Sequence, residues 1–561
     1  MKIIRRWFFG ELQSITGAAI LIGASSLLSR FLGVIRERLL VSVFGVGDEL
    51  DAYFASFQAP NFIYNLLVLG TLSVALIPVF AHYYERDKKE ACEIAGAVFN
   101  ATVAVMGFFS LALFAFAPFF ARVAAPGFDG EKMRLTIELT RIAALSPLFF
   151  SLSSVFGSVL NARRNFLAGA LSPIAYNLSI IFAALFGVSA FGVRSLAYGV
   201  VIGAAAHALI QFIPARAIGF RFVSGWRLRR PGVREVWKLF FPRIWGIDIS
   251  QISLFVGSMI GSTFSVGSVT LFNLANNIQA VPLGVFGVPL AIAAFPVLSS
   301  ALARGERAEF LQVFSRTARQ IAFFLMPLGA ITIVLRAHLV RLIIGTESLS
   351  WNDTRLAAAA LAIFAGSLFF QGLTPLLSRA FYALKNTIIP VIVSGIAVAV
   401  FAALVAGFEQ LLAGGSPVLP RLQNFLRLVG VPDLRLLGLP LAFSGASAAQ
   451  ALILAAALRV KLGPIGGRHI ALSLLKTGAA SLLAMFVARV GLYAASLIIS
   501  DRTFGGVLFQ TVVAAFSGVA IFILAALCLK SEEAAIFLGS LKRKMLRVTK
   551  PFGFGEAIEA R

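Results

Sequence analysis

Long apolar runs recur along the whole of this 561-residue chain. A helix needs about 20 apolar residues to cross the hydrocarbon core of a bilayer, and runs of that length between polar breaks predict about fourteen spans. The predicted spans are 15–44, 49–82, 91–124, 134–161, 169–190, 194–219, 234–263, 269–303, 310–341, 353–384, 387–412, 438–460, 470–499 and 505–530. Because backbone groups in lipid must find partners within the spanning element, the pattern predicts an all-α polytopic membrane protein.

Composition and charge agree with a membrane location. Hydrophobic residues make up 59% of the chain and charged residues 13%, which is too much apolar surface for one soluble core. The net charge of +24 comes from basic residues scattered through short loops, a pattern that argues against nucleic-acid binding. Placing both termini in the cytoplasm leaves about 28 Lys and Arg on the inner side and about 11 on the outer side, as the positive-inside rule requires.

Three sequence matches about 220 residues apart predict an internal repeat. Phe44-Gly-Val-Gly47 recurs as Phe264-Ser-Val-Gly267, and 75–79 and 162–165 match 293–297 and 383–386. The offset holds six predicted helices, an even number, so both repeats share one membrane orientation. The predicted organisation is an N-terminal lobe at 1–231 (helices 1–6), a C-terminal lobe at 232–462 (helices 7–12), two extra helices in 463–530 and a basic cytoplasmic tail at 531–561. Transporters built this way bind substrate between the lobes and rock one against the other.

The first span carries charged residues, although an arginine at the centre of a spanning helix costs about 2.5 to 3.5 kcal/mol. At about 100° per residue, one arc of this helix holds Ser29, Arg30, Gly33, Arg36 and Glu37. Arg38 lies away from that arc and is interpreted as a structural contact. Gly33 leaves space for a ligand or permits a bend. A span of this length is predicted to be tilted or broken, because it exceeds the bilayer core.

The arc suits a pyrophosphate. An arginine donates two parallel hydrogen bonds to a phosphate and stays charged when desolvated, and Arg30 and Arg36 supply two such groups. Glu37 is predicted to neutralise an arginine in the empty site or to act as a proton-sensitive latch. The alternative is that Arg30 and Glu37 only form an intramembrane ion pair that holds helices together. We favour ligand binding, because positive charge remains after such pairing.

An ordered set of motifs then carries a family resemblance. The motifs are Ser29-Arg30-Phe-Leu-Gly33-Val-Ile-Arg36-Glu37, Phe44-Gly-Val-Gly47, Asp51-Ala-Tyr-Phe54, Pro60-Asn61, Pro78-Val-Phe80, Asn161-Ala-Arg163, Pro173, Ser250-Gln251, Pro282 and Phe381-Tyr-Ala383. The chain resembles the MurJ/MviN family of lipid II flippases, within the multidrug/oligosaccharidyl-lipid/polysaccharide exporter superfamily. The resemblance implies transfer of an undecaprenyl-pyrophosphate-linked peptidoglycan precursor between leaflets of the bacterial cytoplasmic (inner) membrane.

The resemblance also implies which residues bind the substrate. Ser29, Arg30, Arg36 and Asp51 match positions important in the family, and Glu37 stands where an acidic residue is usual. The predicted substrate-binding residues are Ser29, Arg30, Arg36, Glu37, Asp51, Asn61, Asn65 and Asn277.

Two departures from the family pattern concern positive charge. The basic pair expected after Pro60-Asn61 is absent, with Asn65 in that region, and the Asp-Arg pair expected before Pro282 is replaced by amides that include Asn277. Neutral hydrogen-bonding groups therefore replace two cations. Arg243 and Asp248 are candidates to compensate for the missing cations. The alternative is that Arg243 anchors its helix at the inner membrane interface and that the pair is structural.

Other chemistry finds no support in the sequence. There is no Gly-x4-Gly-Lys-Ser/Thr loop, and the four histidines are dispersed without metal-ligand spacing. We therefore expect no enzyme activity, no cofactor and no metal. The expected partners are a lipid-linked peptidoglycan precursor, membrane lipids and cell-wall synthesis proteins. Alternatives are export of another polyprenyl-linked glycan or of a cationic drug, for which an acidic site is expected, and a non-transporting membrane scaffold for cell-wall synthesis.

Overall fold

The computed structural model describes residues 15–68, 72–163, 165–223, 229–244, 249–346, 349–412, 419–431, 433–464 and 467–539, without the side chains of 15–22, 74, 241–244, 249, 250 and 425. Every regular element in these ranges is helical, which confirms the all-α fold class. The helices up to residue 218 are α1 Ile15–Phe44, α2 Asp48–Ser56, α3 Gln58–Leu67, α4 Leu72–Arg86, α5 Lys88–Ala115, α6 Ala117–Ala124, α7 Gly130–Ala143, α8 Ser146–Ala162, α9 Leu167–Phe182, α10 Val188–Phe191 and α11 Arg194–Ile218. The later helices are α12 Pro231–Ile244, α13 Ile249–Gly261, α14 Ser268–Pro282, α15 Val288–Ala303, α16 Arg307–Ile344, α17 Trp351–Gly366, α18 Leu368–Ala383, α19 Ile388–Leu412, α20 Leu419–Leu426, α21 Gly438–Leu462, α22 Gly467–Ile498 and α23 Phe504–Cys528.

Many of the helices are long enough to span a membrane. In the described residues, ten helical stretches are long and apolar enough to cross a bilayer, or eleven if the pair α17–α18, bent by 43°, counts as one span. The protein is therefore a multi-pass membrane protein. The count of about fourteen and the repeat of about 220 residues stay predictions.

One predicted span, 49–82, is divided into three helices. Helix α2 ends at Ser56 and α3 begins at Gln58. Pro60 has no backbone N–H to donate to the Ser56 carbonyl four residues earlier, so a continuous helix would lose this bond. The first predicted span, 15–44, is by contrast a single helix. Helix α1 runs unbroken from Ile15 to Phe44, because no proline interrupts its hydrogen bonds. Of the predicted tilted or broken helix, the broken form is excluded and the tilt stays a prediction.

The helices form two compact units. The first unit contains residues 1–278, 343–360 and 390–446, and the second contains 279–342, 361–389 and 447–561. In the first unit, Phe80 of α4, Val98 of α5 and Phe156 of α8 lie in one buried cluster. In the second unit, Phe323 of α16 and Phe522 of α23 are buried with alanines of α22. These units are distinct from the predicted lobes at 1–231 and 232–462, which stay a prediction.

Candidate functional site

The polar arc of α1 is held against α9 by one amide. The side chain of Asn177 accepts a hydrogen bond from Arg36 Nη1 at 3.0 Å and donates from Nδ2 to Ser29 Oγ at 3.2 Å. Ser29 and Arg36 are two helical turns apart, so one side chain can reach both only if it lies between them. It does so at Gly33, where an added Cβ would lie 3.9 Å from Asn177 Oδ1. The space left by this glycine is therefore next to the amide.

Glu37 forms an ion pair with the adjacent Arg36. Its Oε1 accepts from Arg36 Nη2, and also from Asn277 Nδ2 at 3.3 Å. The residue is only 5% exposed, and its other oxygen, Oε2, is buried without a hydrogen-bond partner in the described chain. The predicted alternative of an Arg30–Glu37 pair is wrong, because the carboxylate pairs with Arg36 and Asn277 instead.

Arg30 keeps the uncompensated charge of the arc. Its side chain is half-buried, and within the described ranges it has neither an ion-pair nor a hydrogen-bond partner. Arg36 and Glu37 cancel each other in formal charge, so the arc carries one net positive charge at Arg30. Tyr53 of α2 and Tyr176 of α9 lie near the Arg36 guanidinium. The arc can thus attract an anion while its second arginine is held in a fixed orientation.

Asp51 lies in a separate, fully satisfied cluster. Its carboxylate is 1% exposed. Oδ1 accepts from the Thr270 backbone N–H at 2.8 Å and from Thr270 Oγ1 at 2.7 Å. Oδ2 accepts from the Gly267 N–H and from Lys132 Nζ, both at 2.8 Å. The N–H groups at the start of a helix carry partial positive charge, so Asp51 caps α14 while Lys132 of α7 neutralises it.

Amides occupy the places where the family resemblance led us to expect cations. Asn65 of α3 donates to Gln251 Oε1 of α13 at 2.6 Å, and Asn277 of α14 is bonded to Glu37. Asn61 lies one turn before Asn65 and is exposed. The side chains of Arg243 and Asp248 are outside the described residues. Of the predicted binding residues, the structure therefore brings Ser29, Arg36, Glu37 and Asn277 into one connected cluster.

Sequence reasoning missed the residue at the centre of this cluster. Asn177 was part of no motif, yet it is an amide in a largely apolar stretch, four residues after Pro173. Its side-chain N–H group also bonds the Pro173 carbonyl at 3.0 Å. An isolated amide inside a predicted span was the available signal, because amides in lipid-facing segments usually bond a neighbouring helix.

The second unit contains an apolar cavity of about 700 Å³. Leu325 and Met326 of α16, Phe369 of α18, Leu452 of α21 and Leu474 of α22 contribute to its wall. The hydroxyl of Ser481, which also lines the cavity, donates to the Thr477 carbonyl, and the lining is otherwise of a kind that accommodates hydrocarbon.

Comparison with known proteins identifies the family. A family model described as "Lipid II flippase MurJ" matches residues 40–513. A "Probable lipid II flippase MurJ" from Rhizobium tropici is 28% identical over 406 residues, which cover 70% of this chain and 75% of that protein. Another from Buchnera aphidicola subsp. Acyrthosiphon pisum is 30% identical over 379 residues, covering 66% of this chain and 74% of its own length.

Solved structures show the same fold. A structure titled "Lipid II flippase MurJ, inward closed conformation" aligns with a TM-score of 0.69 at 24% identity, covering 93% of this chain and 99% of that chain. An inward-facing multidrug resistance MATE family transporter of the MOP superfamily aligns with a TM-score of 0.61 at 16% identity, covering 78% and 96%. Since the family model spans most of the sequence, this protein belongs to the lipid II flippase MurJ family of membrane transporters.

Proposed function

We propose that this protein transfers lipid II, the undecaprenyl-pyrophosphate-linked peptidoglycan precursor, from the inner to the outer leaflet of the bacterial cytoplasmic (inner) membrane. Both termini would be cytoplasmic, and the lobes 1–231 and 232–462 would move against each other. The observation that carries the proposal is the α1 arc, in which Arg36 is bonded to Asn177 and Arg30 has no counter-charge among the residues that the structure describes, in a member of this family.

The arc suits the diphosphate of the substrate. Arg30 and Arg36 are six residues apart, or about 9 Å along the helix. A diphosphate that enters between them gains hydrogen bonds from the Arg30 guanidinium. Within the described ranges, Arg30 has no existing bond that must be broken first. The second phosphate competes with Glu37 for Arg36. Each phosphate of the diphosphate carries one negative charge, as the carboxylate does, but the two linked phosphates can bind Arg30 and Arg36 at the same time. Glu37 would therefore keep Arg36 neutralised until the head group arrives.

Alternating access requires contacts that break and reform. The Asp51 cluster joins α2, from the predicted N-terminal lobe, to α14, from the predicted C-terminal lobe. We assign to Asp51 the role of holding these two helices together in one state, in place of direct contact with the substrate. Asn61 and Asn65 would meet the sugar or peptide part of the head group through hydrogen bonds. Cell-wall synthesis proteins that supply or use the precursor would be the protein partners.

The test is complementation of a bacterial strain that lacks its own flippase, combined with an assay of lipid II reaching the outer leaflet. We expect the wild-type chain to restore growth and exposure of lipid II, and Arg30→Ala or Arg36→Ala to lose both. Arg38→Ala, in the same helix but outside the arc, is the matched control. If the inserted wild-type chain restores neither, the lipid II proposal fails; if both alanine variants complement fully, a scaffold without transport explains the protein better.

The amides at positions 65 and 277 favour one second candidate, which is export of another polyprenyl-linked glycan. A head group with fewer charges than lipid II would need fewer cations in the site. Transfer of a different polyprenyl-diphosphate glycan by the purified chain in vesicles, with no transfer of lipid II, would establish this candidate.

A further inference from the structure

Another cavity, lined in part by basic residues, lies at one end of the first unit and is well apart in sequence from the α1 arc. It has a volume of about 420 Å³ and lies between the beginning of α5, the end of α11 and the segment that follows α11. Three basic side chains line it, namely Lys88, Lys89 and Arg221. The positive-inside rule explains why basic residues occur on this side of the membrane, but it does not explain why residues so distant in sequence share a cavity.

The fold fixes the position of these cations. Helix α11 ends at Ile218 and is followed by Gly219, which has a φ of +111°, a conformation that favours glycine and turns the chain back towards α5. The turn is then attached to α5, since Asn100 donates to the Val223 carbonyl at 2.7 Å. At Gly96, an added Cβ would lie only 2.7 Å from the Arg221 carbonyl. The backbone of Arg221 is therefore held against the N-terminal half of α5.

The cavity has a surplus of positive charge. Among the described residues that line it, Glu93 is the acidic one, and it forms an ion pair with Arg230. In the described part of the chain, Lys88, Lys89 and Arg221 have no carboxylate within ion-pair distance. Three unpaired cations around one cavity raise the local concentration of anions. Phosphate is the anion that such a group of Lys and Arg side chains binds well.

The remaining wall is apolar and lies at the membrane surface. Ile218, Phe222 and Val223 contribute to it. Phe222 is 56% exposed and its ring lies 5.2 Å from that of Phe99. Helices α5 and α11 are both candidate membrane spans, so a cavity at their ends is within reach of lipid head groups. A free phosphate ion has no apolar part to contact this wall. A phosphate attached to an acylated glycerol has apolar chains that can pack against it.

We propose that this cavity binds the phosphate group of an anionic phospholipid, with Lys88, Lys89 and Arg221 as its ligands. Each basic residue near an anionic head group adds to such binding, and the contributions of several residues combine. The site is independent of the proposed transport function, since it shares no residue with the α1 arc.

The experiment measures binding to the full chain, purified in a neutral detergent, through the rise in its melting temperature. The probes are dioctanoyl phosphatidylglycerol, dioctanoyl phosphatidylcholine and sodium phosphate. We expect a saturable rise with phosphatidylglycerol only. The triple variant Lys88→Gln/Lys89→Gln/Arg221→Gln should bind it about tenfold more weakly or worse. The control Arg229→Gln/Arg234→Gln/Lys238→Gln removes three exposed charges from the adjoining segment and α12 and should bind as the wild type does.

Three results would overturn the proposal. Equal weakening in both triple variants would mean general surface attraction. Equal binding of sodium phosphate and phosphatidylglycerol would mean a site for free anions. An unchanged affinity in the cavity variant would mean that the lipid binds elsewhere. If the triple variant does not fold, Arg221→Gln alone decides, and it should weaken phosphatidylglycerol binding while leaving the melting temperature without lipid unchanged.

Discussion

Arg36 Nη1 donates a hydrogen bond to Asn177 Oδ1 at 3.0 Å, across 141 residues of sequence. The same amide holds Ser29 one turn above Gly33, so α1 and α9 share a polar contact in the middle of two apolar helices. The orientation of Arg36 is thereby fixed before any ligand arrives. A preorganised guanidinium loses less conformational freedom on binding, which strengthens the interaction with a phosphate.

Asn177→Ala should weaken substrate binding without preventing insertion. The change removes a partner from both Arg36 and Ser29, and leaving buried polar groups unpaired costs about 1 to 3 kcal/mol. We expect a lower melting temperature and reduced exposure of lipid II in the complementation assay. Asn424→Ala, at an exposed position of α20, is the control and should change neither. Wild-type transport by Asn177→Ala would show that Arg36 needs no such support.

Glu37→Gln should tighten binding of a diphosphate head group. The amide can keep the bond to Asn277, but it no longer neutralises Arg36, so the site gains one positive charge. We expect about a tenfold lower dissociation constant for a soluble lipid II analogue, measured by calorimetry. Turnover in vesicles should fall, because the product would leave more slowly. Weaker binding by this variant would mean that the carboxylate itself contacts the substrate.

Asp51→Asn should destabilise the chain far more than Asp48→Asn. Both carboxylates pair with Lys132, at 2.8 and 2.7 Å, but Asp51 is buried and the Asp48 side chain is 59% exposed. Breaking a buried pair costs about 3 kcal/mol or more, whereas an exposed pair contributes about 1 kcal/mol or less. Thermal unfolding of the two variants measures the difference. Similar losses would mean that Asp51 is not the residue that holds α2 to α14.

Acidification should weaken one contact between α16 and the loop before α23. A hydrogen bond from Arg341 holds the pKa of Asp501 below its usual range. A depressed pKa in the folded state stabilises the fold above the unfolded pKa of about 4, and this stabilisation is lost as pH falls through the folded value. The Asp501 side chain is half-exposed, so the effect is about 1 kcal/mol or less. Melting temperatures of wild type and Asp501→Asn should differ at pH 7, and the difference should shrink as the pH falls below about 4.

The α1 arc shows what periodicity can predict and where it stops. Ser29, Gly33 and Arg36 were assigned to one face because the helical period fixes directions around an axis, and all three lie next to Asn177. The identity of that neighbour had no local signal, since it comes from a helix 141 residues later. The prediction that Glu37 neutralises an arginine did not say which one, and the alternative of a pair with Arg30 was wrong. Angular position alone ignores that the long side chain of Arg36 can bend back to the adjacent carboxylate.

The division of 49–82 at Phe57 was missed for a different reason. Pro60 was interpreted as part of a family motif and not as a residue that lacks a backbone donor. The same proline explains why α2 is a separate short helix that can point Asp51 at the start of α14. A span predicted from hydropathy alone does not resolve such breaks, because hydropathy does not depend on which backbone N–H groups exist.

The Asp51 cluster also has a consequence for the integrity of the membrane. Its bonds come from two backbone N–H groups, one hydroxyl and one ammonium, and separating α14 from α2 leaves a buried carboxylate and a helix terminus unpaired together. Partial separation of the two helices therefore has no energetic advantage, and we expect all the bonds of Asp51 to break together or not at all. A contact with that property has no stable partly open state. In the proposed transport cycle, such a contact would let a large lipid head group pass and would still keep the membrane closed to protons and small ions.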